Sequence, residues 1–316
     1  MMLDLHSVII LTGHCVLCLT GITGNAFILL VHFLDWLKIY EFNPCDVIIN
    51  CISTSNMFLQ GAVLFNEVCF YMYPVFLYHK WVINSLVAIM TSLAFCSLWC
   101  STCLCFYYCV KIANFSGMLF QKLKTKLPRM VPWMLILSFA MSCSAGIPAY
   151  WDLYMAVSSV TTNFTSNITL ALSFDVKSRC GCLFQMYMFF SSVAFAIIFF
   201  TAGAIITSLC KHMMRMKQNS EGSGTGKINS HLSAAKTVTS LLLIYLIFYA
   251  ALNFIYNGSS SEVGSLFYSL CFIVAASFPT INSFILIMGN RKLTNAFKKM
   301  LGIKSVSGGN SEVTGS

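Results

Sequence analysis

Seven long apolar stretches divide the chain: 8–33, 45–70, 82–108, 130–150, 183–210, 233–256 and 265–288. A bilayer's hydrocarbon core is about 30 Å thick, and roughly 20 apolar residues of helix cross it. Each stretch therefore predicts a membrane span. The short connections between them alternate in charge. With the N-terminus outside, the inner connections and tail hold every one of the 19 basic residues except Lys80, Lys177 and Arg179. Lys and Arg concentrate on the cytoplasmic side of membrane proteins, so the asymmetry orients the bundle with its N-terminus extracellular and its C-terminus cytoplasmic.

Composition leaves no sequence for a soluble domain: of 316 residues, 58% are apolar and 9% charged. The expected architecture is an all-α membrane protein. A seven-helix bundle covers 1–301 and includes a short amphipathic helix at 289–301; a flexible cytoplasmic tail covers 302–316. In the amphipathic segment Leu293, Phe297, Met300 and Leu301 recur at helical spacing with basic residues on the other faces, which suits a helix lying on the inner membrane surface. The net charge of +9 reads as a topology signal and favours contact with anionic membrane lipid; nucleic acid is not an expected partner. The first stretch lacks a basic leader, since Asp4 is its only early charge, and is read as a span rather than a cleaved signal.

The longest inner connection, 211–236, has a Gly/Ser linker at its centre, 219–226. The connection 151–182 carries the glycosylation acceptors Asn163-Phe-Thr and Asn167-Ile-Thr on the outer side. Asn257-Gly-Ser is a third outer match close to the membrane, and Asn114-Phe-Ser faces the cytosol, where it is not modified. Most of the 15 cysteines lie within spans, where they read as small packing residues at helix interfaces. The i,i+3 pair Cys100 and Cys103 has a spacing that metal sites also use. Cys69, Cys180 and Cys182 lie near the outer face, where oxidation to a disulfide is open to them.

Absent chemistry narrows function further. Ionisable residues at mid-membrane mark ion paths and proton relays, and none sits there; Asp46 and Lys236 lie near inner ends and Glu67 near an outer end. Internal repeats, broken helices and a filter loop, which transporters and channels use, are missing from the sequence, as are phosphate-binding and hydrolase motifs. No enzyme, metal or cofactor is expected. A receptor whose output is a change of helix packing is what remains.

Several segments carry a family resemblance. Phe106-Tyr107 followed by Lys111-Ile-Ala-Asn-Phe-Ser116 ends span three; His231-Leu-Ser-Ala-Ala-Lys-Thr-Val238 opens span six; Ser208-Leu209 with Lys211-His212 ends span five. Pro279 and Ser283-Phe-Ile-Leu-Ile-Met-Gly-Asn-Arg-Lys-Leu293 lie in and after span seven, Gly24-Asn25 and Asp35-Trp36 in span one and just after it, and Pro44-Cys45-Asp46 opens span two. Together, and in this order, they resemble the type 2 (bitter) taste receptors, a G-protein-coupled family. The chain departs from the family's usual pattern at Asn56, where an Arg is common, at Asn282, where a His is common, and in lacking a proline in span five.

The resemblance implies roles. Asn25, Asp46, Pro279 and Ser283 would form an inner polar network holding the resting packing; helix–helix hydrogen bonding for stability accounts for the same residues. Phe106, Tyr107, Lys111, His212, His231 and Lys236 would form the face for a heterotrimeric G protein of the gustducin or inhibitory class, whereas snorkelling alone accounts for the lysines. Met90, Ala94, Phe248 and Phe272 would line a ligand pocket that suits a small neutral apolar tastant, unless they serve only helix packing. The expected location is the plasma membrane. Competing readings are a vomeronasal type 1 pheromone receptor and a small transporter or channel.

Overall fold

The computed structural model describes residues 5–41, 43–73, 76, 79–112, 118–162, 169–179, 181–218, 225–257 and 266–303. Seven long helices appear in chain order: α1 (Leu5–Ile39), α2 (Pro44–Met72), α3 (Lys80–Ile112), α4 (Met118–Asp152), α5 (Cys182–Gln218), α6 (Thr225–Asn257) and α7 (Leu266–Gly289). A short α8 (Arg291–Met300) follows. The described parts of α1 to α6 each hold a stretch long and apolar enough to cross a membrane; α7 reaches that standard together with α8, from which it bends by 98°. At 24 residues α7 measures about 36 Å, enough to cross by itself. The bend separates an apolar span from a helix whose faces differ sharply in polarity, as the expected surface helix requires. The chain is a multi-pass membrane protein.

Helix boundaries follow local chemistry. Asn43 caps α2, its side chain accepting from the Cys45 N–H at 3.4 Å, and Pro44 takes the first helical position, where it sacrifices no bond. Asn290 does the same for α8, accepting from Lys292 N–H at 3.0 Å. Past the end of α8, Gly302 adopts φ +69°, and the amides of Gly302 and Ile303 return to the carbonyls of Lys299 and Lys298.

The sequence left two features unexpected. Strands β1 (Leu153–Thr162) and β2 (Thr169–Ser178) pair antiparallel from Leu153↔Ser178 to Thr162↔Thr169, so the long outer connection is a β-hairpin rather than open loop. Its base is tied to α4, because the Arg179 N–H donates to both the backbone and the carboxylate of Asp152. Asn163 and Asn167 fall between the paired ends, outside the described residues. The helices α5 and α6 also extend through the flanks of the connection 211–236, and of the linker at its centre residues 219–224 lie outside the described residues. Residues 304–316 of the expected tail lie outside it as well.

α3 is the central column. From Ser97 to Cys105 every residue is buried, and Ile48, Ile49 and Ile52 of α2, Ile198 and Ile205 of α5, and Leu241 and Tyr245 of α6 belong to the same core. Large apolar side chains on the outward faces, such as Trp133, Phe139 and Phe200, are exposed to what is lipid in a membrane. Small residues bring helices together, as membrane bundles require: a Cβ on Gly146 of α4 would lie 2.7 Å from the Ala88 carbonyl of α3. Among the cysteines, Cys69 is a free thiol and Cys182 is disulfide-bonded.

Candidate functional site

A cavity of about 220 Å³ opens among α1, α2, α3, α5, α6 and α7 in the half of the bundle toward the hairpin. Met90 and Ala94 of α3 and Phe248 of α6, three of the four residues expected in a pocket, line it. Pro279, expected in the polar network, lines it too. Phe272 lies in α7, but its side chain is outside the described residues. Aromatic rings wall the cavity: Phe95 meets Tyr187 edge-on at 6.0 Å, and Phe248 stacks on Phe278 at 4.5 Å. Toward the core, the buried Tyr245 hydroxyl donates to the Ser191 carbonyl at 2.6 Å and thereby joins α6 to α5. Among the described residues no charged side chain lines the cavity.

Gln60 supplies a polar point in this apolar wall. Its Nε2 donates to Thr280 Oγ1 at 2.7 Å, and Thr280 Oγ1 donates to the Leu17 carbonyl at 2.8 Å, so one chain of bonds joins α2, α7 and α1. Gly21 permits this convergence, because a Cβ there would collide with both Gln60 and Thr280. Gln60 Oε1 is buried without a hydrogen-bond partner among the described residues. A charge-based search of mid-span positions misses Gln60; its signal is an amide in an apolar run.

The four residues expected to share one polar network occupy three places. Asn25 and Ser283 lie one turn from the Gln60 layer toward α8, where Asn25 Nδ2 bonds the Gly21 carbonyl and Ser283 packs against Gly24. Asn282 Nδ2 reaches Ser101 Oγ of α3 at 3.5 Å, and Asn56 is fully buried. Pro279 is at the cavity. Asp46 belongs to a separate cluster at the α8 end: Lys292 Nζ donates to Asp35 and, at 3.2 Å, to Asp46 Oδ2. His32 Nδ1 donates to Asn50 Oδ1 at 2.6 Å, which turns Nε2 toward Asp46 Oδ1 at 3.6 Å. Partial burial, the largest influence on Lys292, pulls its pKa down, but the Asp35 and Asp46 carboxylates outweigh it and the net shift is upward. Toward the hairpin, His14 Nδ1 faces Glu67 Oε1 at 3.3 Å, so an imidazole–carboxylate pair joins α1 to α2 at each end.

Of the expected partner-facing residues, Phe106 is half-buried and Tyr107 buried near the end of α3, while Lys111 is exposed with Nζ 5.5 Å above the Tyr107 ring. Lys236 is exposed on α6. His212 and His231 lie on α5 and α6, with side chains outside the described residues. Among the described residues no group of three or more His, Cys, Asp or Glu is placed to hold a metal ion. The arrangement offers an apolar cavity at whose wall buried hydrogen bonds tie α2 to α7 and α1, and α6 to α5.

Comparison with known proteins meets this geometry. The family described as "Taste receptor protein (TAS2R)" matches residues 2–305. The human taste receptor type 2 member 39 is 29% identical over 294 residues, covering 89% of this chain and 83% of the relative. The human taste receptor type 2 member 9 is 30% identical over 283 residues, covering 89% of each. The orang-utan (Pongo pygmaeus) member 9 is likewise 30% identical over 283 residues. With a family match across nearly its whole length and the seven-helix fold to carry it, the chain belongs to the type 2 taste receptor family.

Proposed function

We propose that this chain is a bitter taste receptor of the plasma membrane. It takes a small, neutral, largely apolar organic agonist into the cavity bounded by Met90, Ala94 and Phe248, and it activates a heterotrimeric G protein of the gustducin or inhibitory class. The observation that carries the reading is the cavity itself: aromatic and aliphatic walls, no charged side chain among the described lining residues, and a buried acceptor, Gln60 Oε1, whose residue lines it. Such a site favours an apolar molecule with a hydroxyl or N–H donor and disfavours ammonium compounds, which would lose hydration without gaining a counter-charge.

Signalling follows as a population shift, since an agonist acts only through its preference for one packing over another. Ser191 and Tyr245 line the cavity and join α5 to α6. A ligand wedged between them therefore changes the relative position of those two helices. The far ends of α5 and α6, with Lys111 and Lys236 exposed nearby, form the docking face on the cytoplasmic side under the basic-residue orientation. Asp46, Lys292 and Asp35 hold α8 against α1 and α2 while α5 and α6 move.

Intracellular calcium recorded in cells expressing the chain with a promiscuous chimeric G-protein α subunit tests the proposal. Neutral apolar bitter compounds should evoke responses that Lys236→Ala removes at unchanged surface expression. Responses confined to cationic amines would refute the proposed pocket chemistry, and ligand-evoked current without a G protein would refute the receptor reading.

A further inference from the structure

A second cavity, of about 470 Å³, lies between α2, α3 and α4 and shares no lining residue with the first. Phe58 of α2 and Phe139 of α4 line it and are 59% and 65% exposed on outward faces of the bundle, so the crevice opens to the bilayer rather than to water. Its inner wall is nevertheless polar. Asn50, Thr54 and Phe58 recur every four residues on α2 and form one stripe along the crevice, about 12 Å from first to last.

Two hydroxyls beside the stripe are already engaged: Ser55 Oγ donates to the Cys51 carbonyl at 2.9 Å and Ser142 Oγ of α4 to the Ser138 carbonyl at 2.5 Å. Asn50 differs. Its Oδ1 accepts from His32 Nδ1 of α1 at 2.6 Å, which fixes the amide and leaves Nδ2 at the crevice wall, donating to no other described residue. Within the hydrocarbon layer an amide N–H needs a partner, and a lipid acyl chain offers none. Asn50 stands about 9 Å in from the start of α2, just inside the layer that the Asp46–Lys292 pair marks as polar. The crevice therefore suits an uncharged molecule that reaches it through the bilayer, with one hydrogen-bonding group at the α8-side end and an apolar body extending toward Phe58. A rigid body gives up few torsions on entering a preformed space, whereas a flexible chain gives up many.

We propose that the α2–α3–α4 crevice is a binding site for a membrane sterol, an uncharged lipid with a fused-ring frame and a single hydroxyl. The hydroxyl oxygen accepts from Asn50 Nδ2, and the ring frame lies along Thr54 and Phe58, with Phe139 of α4 at its outer edge. His32 holds the same amide and faces Asp46, so an occupied crevice braces the contact of α2 with α1.

Full-length receptor in phosphatidylcholine nanodiscs holding a photoreactive, alkyne-bearing cholesterol analogue, irradiated and mapped by peptide mass spectrometry, tests this. The readout is an adduct position, so it stands apart from whether the chain signals. Adducts should concentrate on crevice-lining residues, and unlabelled cholesterol should compete for them. The epimer with an inverted hydroxyl should compete about twofold to tenfold less well, the worth of one net hydrogen bond. Asn50→Leu should erase that difference between the epimers. Thr54→Trp, which fills the crevice and leaves the His32–Asn50 bond in place, should remove the crevice adducts. Adducts on the lipid-facing side of α5 near Phe200, which is 73% exposed, should stay as they are and serve as the reference for an intact fold. Adducts as dense on that face of α5 as in the crevice, equal competition by the two epimers in the wild type, or crevice adducts that survive Thr54→Trp would each overturn the proposal.

Discussion

Tyr245→Phe isolates the link between the agonist cavity and the helices proposed to move. The substitution removes one oxygen and keeps the ring, so the stacking on Phe195 at 6.0 Å and the tilted contact with Tyr249 at 6.1 Å persist. What is lost is the buried bond from the Tyr245 hydroxyl to the Ser191 carbonyl at 2.6 Å. A neutral buried hydrogen bond contributes about 0.5–1.5 kcal/mol net. If the bond forms only in the resting packing, losing it shifts the resting-to-active ratio by about twofold to tenfold, since about 1.4 kcal/mol is a factor of ten. Ligand-free signalling per receptor at the surface, with agonist potency in the same cells, measures the shift. Both should rise by that factor. Unchanged basal activity and potency together with a lowered thermal midpoint would show that the bond survives in both packings and would refute its role in switching.

Other perturbations test separate parts of the structure. Lys292→Ala leaves the Asp35 and Asp46 carboxylates facing each other without a cation, and should lower stability by about 1 kcal/mol, read as a fall in the thermal midpoint in detergent. Because the Lys292 pKa lies above its ordinary 10.5, its contribution is complete below pH 10.5 and lost only as pH rises through the raised value. The difference in midpoint between wild type and Lys292→Ala should therefore stay constant from neutral pH to about pH 9.5. Gly21→Val places atoms where Gln60 and Thr280 meet and should cost about 1–3 kcal/mol, seen as reduced surface expression and a lower midpoint. Asn163→Gln and Asn167→Gln should each remove one glycan, visible as a step in gel mobility, whereas Asn114→Gln should change nothing.

The seven spans were legible because the bilayer demands one property, sustained apolarity over about 20 residues, which survives any rearrangement of side chains. The same criterion hid the start of α4. Gln121, Lys122, Lys124 and Lys126 are helical but polar, and the span was read as beginning at 130. The hairpin was missed although its first strand is rich in Val and Thr, because its pairing is set by partners up to 25 residues apart. Met90, Ala94 and Phe248 follow from the family resemblance, and their common cavity follows from α3 and α6 facing each other. Gln60 was missed because only charge was sought in mid-membrane, and a neutral amide carries the polar bond there. The Asp46–Lys292 contact joins residues 246 positions apart. In sequence Lys292 is one more basic residue on the cytoplasmic side, and only the bend between α7 and α8 turns it back to α1 and α2.

Filling the cavity tests the central claim most directly. Ala94 lines it on α3, and Ala94→Trp adds an indole to a space of about 220 Å³. Calcium responses to a neutral apolar agonist would be recorded for wild type and Ala94→Trp at matched surface expression. The account expects a robust wild-type response and a loss of potency of at least about tenfold in the variant, the result of excluding ligand from a filled site. Equal potency in the two receptors would place agonist binding elsewhere and contradict the account.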